Sequence, residues 1–372
     1  MSKKWEIRRL SEICENLDSK RIPITKNLRK EGKFPYYGAS GIVDYVDEYI
    51  FDEELLLVSE DGANLLARTY PIAFSISGKS WVNNHAHVLR FSNKLSQRFV
   101  EIYLNSIALD DYVSGMAQPK LNQAMLNSIE IPFPPLPEQK QIVTILDKDF
   151  AAIDKAKANT EKNLQNAKDL FESYLQNVFA NPGEDWEEKK LNEISQNLDS
   201  KRIPITKSVR STGNYPYYGA SGIVDYVSDF IFEGDLLLVS EDGANLLART
   251  YPIAFSISGK TWVNNHAHVL RFSNLTNQKF VEYYLNSIKL DDYVSGMAQP
   301  KLNQAMLNTI PIPYPPLKVQ TSIINKFDIL SLETKKLESI YQQKLNDLEE
   351  LKKSILQKAF AGELTTAKEL TV

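Results

Sequence analysis

All four histidines of this chain fall in two His-Ala-His runs, His85/His87 and His266/His268. On a strand, residues i and i+2 share a face, so each run could turn two nitrogens toward a metal. No third ligand stands out, and the single cysteine, Cys14, has Ser195 at its equivalent position. Hydrogen-bonding histidines on a half-buried strand are the simpler expectation, and no metal site is assigned. "PFPPL" (133–136 and its lead-in) and "PYPPL" share prolines with the Asn/Asp-Pro-Pro-aromatic loop of amino-methyltransferases, but the polar first residue and the following aromatic are missing. No Gly-rich cofactor loop follows a strand, and no phosphate-binding loop occurs. "PEQK" at 137–140 imitates the Glu-x-Lys end of a nuclease motif, but the second half of the chain reads "LKVQ" in that region. No catalytic residue and no cofactor is assigned to this chain.

Residues suited to recognition are abundant. Lys20, Arg21 and Lys26 lie in a basic run, followed by Tyr36, Tyr37, Ser40 and Gly41, then Ser59, Asp61, Asn64 and Arg68. Lys79, Trp81, Asn83, Asn84 and His85 come next, and Gln118 and Lys120 close the set. Each has an identical counterpart: Lys201, Arg202, Lys207, Tyr217, Tyr218, Ser221, Gly222, Ser240, Asp242, Asn245 and Arg249, then Lys260, Trp262, Asn264, Asn265, His266, Gln299 and Lys301. Arg and Lys fork onto guanine, Asn and Gln onto adenine, and Ser, Lys and glycine amides hold phosphates. A net charge of −4 speaks against a nucleic-acid partner at face value. The charge is uneven, however: residues 20–33 hold six Lys/Arg and one acid, and 201–214 hold four and none. A phosphate backbone needs a local positive surface, not a basic chain. Taken alone each basic run is a solvated loop; beside these neighbours it points to duplex DNA.

The elements that must position these residues occur twice. "YYGASGIVDYV" begins at Tyr36 and again at Tyr217, and the 181-residue offset also relates Trp5 to Trp186 and Pro135 to Pro316. Residues 16–136 and 197–317 differ at 22 of 121 positions, without an insertion or deletion. Such a period decides the architecture. In each copy short apolar runs, "LLLVS" (55–59), "IAFSI" (72–76) and "HVLRF" (87–91), read as strands between Gly- and Asn-rich turns. A helix is expected over 97–113, which makes the domain mixed α/β or α+β. Pro132, Pro134, Pro135 and Pro137 predict a stiff exit, because proline continues neither a strand nor a helix interior.

Beyond that exit a heptad-like seam runs through Leu146, Phe150, Ile153, Lys157, Thr160, Leu164, Ala167, Phe171, Tyr174 and Val178. A second helix carries Phe327, Leu330, Leu337, Tyr341, Leu345, Leu348 and Ile355. The expectation is two near-identical domains joined and separated by two long helices in an antiparallel coiled coil, with pseudo-twofold symmetry. The alternative folds each helix onto its own domain. The boundaries are 1–136 for the first domain, 137–181 for the first helix, 182–317 for the second domain and 318–372 for the second helix. One cysteine excludes a disulfide framework and suits a reducing, cytoplasmic setting. Neither a signal peptide nor a membrane span is evident.

The stretch "SGMAQPKLNQAMLNSIEIPFPPLPEQKQIV" and the ending "LKKSILQKAFAGEL" strongly resemble the specificity subunit of type I restriction–modification systems. The resemblance covers essentially the whole chain. It implies a non-catalytic DNA reader, with two target-recognition domains that each read one half of a split target. It also implies spacer helices that fix the gap and bind two adenine-methylating subunits, which use S-adenosylmethionine. Motor-nuclease subunits join in full restriction complexes; whether they do so here is left open. Family members usually carry two dissimilar recognition domains. Near-identical domains related by a twofold would instead read inverted repeats, a palindrome with an unspecific centre. Two other classes stay open: a bivalent protein- or glycan-binding scaffold, and a self-contained methyltransferase or nuclease, which the absent cofactor loop disfavours.

Overall fold

The computed structural model describes residues 5–115, 118–296 and 299–364. In the first domain β1 (Glu6–Arg9), α1 (Leu10–Ile13) and β2 (Glu15–Asn16) precede a hairpin of β3 (Glu31–Gly38) and β4 (Gly41–Val46). Next come β5 (Phe51–Asp52), β6 (Leu55–Ser59), α2 (Asn64–Ala67), β7 (Ala73–Ile76), β8 (Lys79–Val82) and β9 (Ala86–Arg90). The domain closes with α3 (Lys94–Ser106), α4 (Gln123–Ser128) and β10 (Glu130–Phe133). An antiparallel sheet has the order β2-β9-β6-β7, and a second sheet the order β4-β3-β8-β5, with β3 and β8 parallel. β1 and β10 form a separate antiparallel ribbon.

β6 is the continuous apolar run "LLLVS", and all five residues are buried. Side chains alternate along a strand. Leu56 and Val58 therefore join Leu10, Leu89 and Phe99, while Leu55 and Leu57 join Leu17, Val82 and Val88 on the other face. A strand covered on both faces has no polar alternation, which is why it was readable as a run. The helix expected over 97–113 is shorter, at Lys94–Ser106. Ile107 is extended, and the chain turns so that the Tyr112 and Val113 amides bond to the Leu109 carbonyl. The apolar residues beyond 106 reach the core from this turn, which mimicked continued helical spacing.

The proline exit also differs. Pro132 lies within β10, opposite Ile7 in a two-stranded ribbon where a missing N–H can face away from the ladder. Pro137 sits in the first turn of α5 (Leu136–Ala180), where no intrahelical N–H bond is lost.

The second domain repeats the order over Glu187–Tyr314 and runs into α6 (Leu317–Phe360). The chain divides into two compact units, Met1–Thr160 with Lys344–Val372, and Glu161–Gln343. Each unit thus holds one recognition-type domain and half of each long helix. In the first, Phe150 lies under the Lys352 ammonium at 5.1 Å and Lys157 pairs with Glu349 at 2.7 Å. Residue numbers rise on α5 as they fall on α6, so the helices run antiparallel. Phe360 packs edge-on against Phe99 at 5.4 Å, tying the end of α6 to the first domain. In the second unit Phe179 packs edge-on against Phe280 and at a tilt against Phe327. Each helix half therefore packs on its domain and on the other helix, combining both expected arrangements. Of the heptad seam, Leu146, Ile153, Thr160 and Ala167 are buried, and Thr160 satisfies its hydroxyl on the Ala156 carbonyl. Toward the end of α5 burial shifts to Leu175 and Phe179.

Candidate nucleic-acid interface

His87, 1% exposed in β9, is the centre of a buried polar network. Its Nδ1 lies 2.5 Å from Asp18, and its Nε2 lies 2.7 Å from the Leu121 carbonyl. A carbonyl only accepts, so Nε2 donates. Burial pushes the Asp18 carboxyl up, but the hydrogen bond and charge of His87, the Val88 N–H and Arg21 outweigh it and hold Asp18 below the usual range. An ionised Asp18 makes Nδ1 a donor as well. Glu60 accepts from Arg21 at 2.6 Å and pairs with Lys120 at 3.2 Å. Burial raises its carboxyl too, and Arg21, His87 and Lys120 bring it below the ordinary value. Asp199, Glu241, His268, Arg202 and Lys301 repeat the network in the second domain.

The ligand atoms of Asp18, Glu60 and His87 lie within 4.8 Å of one another. They do not suit a metal ion, because both His87 nitrogens are engaged and Arg21 and Lys120 already neutralise the carboxylates. The two histidines of each run do not share a face: His85 precedes β9 and its side chain is 52% exposed.

This network draws four loops together. The Glu60 amide bonds to the His85 carbonyl, Leu121 to Glu60, and Gly62 to Pro119. The Ser59 hydroxyl donates to the Ala39 carbonyl at 2.6 Å, and the Asn83 amide bonds to Tyr37. The β3–β4 turn, the loop after β6, the β8–β9 turn and residues 118–121 therefore share one surface. It presents Ser40, Asn84, His85, Gln118 and Lys120, all exposed, with Asp61 half-buried beside His85. Gly41, at φ 120°, closes the β3–β4 turn in a conformation only glycine adopts readily. The second domain presents Ser221, Gly222, Asn265, His266, Gln299, Lys301 and Asp242 in the same way. Of the "SGMAQPKLNQ" stretch, Met116 and Ala117, like Met297 and Ala298, lie outside the described residues.

The structure assigns several expected contact residues to the framework instead. Tyr36 and Tyr217 are buried, with their hydroxyls on Ile24 and Ile205 and the Arg29 and Arg210 guanidinium groups stacked on their rings. Ser59 and Ser240 are buried clamps on the β3–β4 turn. Asn64 and Asn245 are buried, and each accepts from the backbone five and six residues ahead. Trp81 and Trp262 donate to the Ile22 and Ile203 carbonyls at 2.6 Å. Asn83 and Asn264 are buried and accept from the amides of His85 and His266. Arg21 and Arg202 are drawn inward by Glu60 and Glu241.

Arg68 and Arg249 are engaged within their own domains. Each sits in the left-handed region at φ 53° and donates to two carbonyls at the end of the α3-type helix: Leu104 and Ile107, or Leu285 and Ile288. Tyr37 and Tyr218 are half-buried against Phe74 and Phe255. Lys20, Lys26, Lys201 and Lys207 are exposed, but the gathered loops do not include them. Lys79 and Lys260 are exposed at the opposite end of their strands from Asn83 and Asn264, over the rings of Tyr49 and Phe230.

The His-Ala-His runs pointed to the hydrogen-bonding His87 and His268, whereas Asp18 and Asp199, which position the loops with Glu60 and Glu241, carry no local signal in the sequence. Positions that differ between the copies avoid the gathered loops. They fall at 27–34, 47–54, 80, 94–108 and 128–133, and none lies in 38–41, 59–62, 83–85 or 118–121.

Fold and site together define a protein with two copies of one loop-presenting domain on paired helices. The chain matches the family described as type I restriction modification DNA specificity domain over residues 2–165 and again over 183–350. It belongs to that family and contains its domain twice. Specificity subunits of type I systems are non-catalytic. A Haemophilus influenzae type I restriction enzyme specificity subunit is 37% identical over 162 residues, which span 44% of this chain and 41% of that relative. The type I restriction enzyme MjaVIII specificity subunit of Methanocaldococcus jannaschii is 24% identical over 97% of this chain and 93% of its own. In fold, a chain from a structural study of type I R-M complex assembly superposes with a TM-score of 0.74 at 18% identity, over 97% of this chain and 98% of that one. The HsdS subunit from Thermoanaerobacter tengcongensis gives 0.59 at 19% identity, with 97% of each chain covered. No described helix is long and apolar enough to cross a membrane.

Proposed function

We propose that this chain is the sequence-reading subunit of a type I restriction–modification complex whose two domains read the same half-site, so that the target is a split inverted repeat. The observation that carries this reading is the distribution of the 22 differences: the gathered loops are identical in both copies, and every difference lies outside them. Identical donors and acceptors on identical loops favour identical bases. Lys120 and Lys301, exposed at the loop surface, are suited to the phosphate backbone.

Methyl transfer and cleavage would be carried by partners. We expect two adenine-methylating subunits, with S-adenosylmethionine bound to them and not to this chain, and the exposed faces of α5 and α6 as their docking surface. The test is selection from a random duplex library by this chain assembled with its methylating partner. An enriched split palindrome supports the reading. An asymmetric split site would mean that the diverged positions alter base choice, and no enrichment would favour a scaffold for another ligand.

A further inference from the structure

We propose that His85 and His266 each read one base through Nε2, and that Asp61 and Asp242 set the sense of that hydrogen bond. This rests on the DNA-reading function proposed above and names its chemistry at one position of each half-site. His85 Nδ1 lies 2.8 and 3.0 Å from the two Asp61 carboxylate oxygens, and His266 repeats both distances on Asp242. A carboxylate only accepts, so Nδ1 carries the proton, and in the neutral form of the ring this tautomer leaves the lone pair at Nε2. Among the described residues Nε2 has no partner. The two imidazoles are 52% and 51% exposed, while their aspartates are 20% and 21% exposed.

The mount beneath the ring is stiff. The buried Asn83 side chain accepts from the His85 amide at 2.8 Å, and the His85 carbonyl accepts from Glu60 at 2.9 Å. A pair as exposed as this contributes little to folding. Its geometry instead fixes one tautomer and aims one nitrogen outward from the loops that carry Ser40, Asn84 and Lys120. In the major groove an acceptor nitrogen matches the amino groups of adenine N6 and cytosine N4. A donor would match guanine N7 and O6, thymine O4 or adenine N7, so it admits guanine and thymine, which a bare acceptor does not. One position in each half therefore requires adenine or cytosine. Asp61 and Asp242 are positioning residues: they act through the ring.

The experiment uses the chain assembled with its methylating partner and measures relative affinity for duplexes varied at each half-site position. His85→Ala with His266→Ala is expected to lower discrimination at one position per half by about 10–100-fold, leaving the other positions and the thermal midpoint unchanged. Asp61→Asn with Asp242→Asn offers the ring an amide N–H, which favours the other tautomer and lets that position accept guanine or thymine. The unsubstituted protein gives a check that needs no variant. Removing the exocyclic amino group of that base (purine in place of adenine, or 2-pyrimidinone in place of cytosine) should weaken its binding about 10-fold, with no further loss in the histidine variant. Histidine variants that keep full discrimination everywhere would overturn the inference, as would an amino-less duplex bound as tightly as the normal one. A complex with no sequence preference at all would instead bring down the functional reading on which it rests.

Discussion

The two histidines of each His-Ala-His run should behave oppositely when removed. His87→Ala with His268→Ala deletes a charge-assisted bond to Asp18 or Asp199 and a bond to the Leu121 or Leu302 carbonyl. At 1% exposure water cannot replace either partner. Charge-assisted bonds contribute ~1.5–3 kcal/mol and neutral ones ~1 kcal/mol, and an orphaned carbonyl adds a desolvation penalty. The expected loss is about 3–5 kcal/mol per domain, the range seen when one member of a buried pair is removed. Against a typical domain stability of ~5–15 kcal/mol this is a large share. For units of this size it corresponds to a midpoint shift of roughly 10 °C. Thermal unfolding followed by circular dichroism reads it, with His85→Ala/His266→Ala as comparator, expected within about 1 kcal/mol of the parent. Equal shifts for the two variants, or a larger one for His85/His266, would refute the buried-network account.

Acid should act on the same network. Asp18, Glu60, Asp199 and Glu241 are held below their ordinary values in the fold, so their contribution is complete above the unfolded values of about 4 and is lost as pH falls through the lower folded ones. Urea midpoints should hold between pH 7 and 5 and fall below about pH 4; midpoints that rise there would contradict the assignment. Arg68→Ala with Arg249→Ala should cost about 2–3 kcal/mol per domain, because helix-end carbonyls lose their donors, yet leave base preference intact. Altered preference at unchanged stability would restore those arginines to the interface. Lys120→Gln with Lys301→Gln should weaken binding to all duplexes and lower the salt slope by about 2. Filter binding across a salt series measures it, and an unchanged slope removes both lysines from the backbone contacts.

Much of this was legible because some signals are local and others repeat. β6 reads as a strand from five consecutive residues buried on two faces, and the repeat needs only alignment of the chain with itself. Burial of polar residues was not legible. Asn64, Asn83 and Asn84 look alike in sequence, and only the fold decides that two are buried brackets and one is exposed. Asp18 and His87 are separated by 69 positions and share no motif, so their bond follows from strand pairing alone. The basic run overstated the positive surface for the same reason: Arg21 and Arg29 are claimed by Glu60 and Asp44, 39 and 15 residues away. Pro132 failed as a strand terminator because a two-stranded ribbon leaves one side of each strand unpaired.

Whether one chain carries the same reader twice is decided by mapping methylated adenines across the genome of a host that expresses this chain with its methylating partner. A single split motif whose halves are inverted copies, methylated on both strands, is expected. Two different half-sites, methylated beside an active partner, would contradict it.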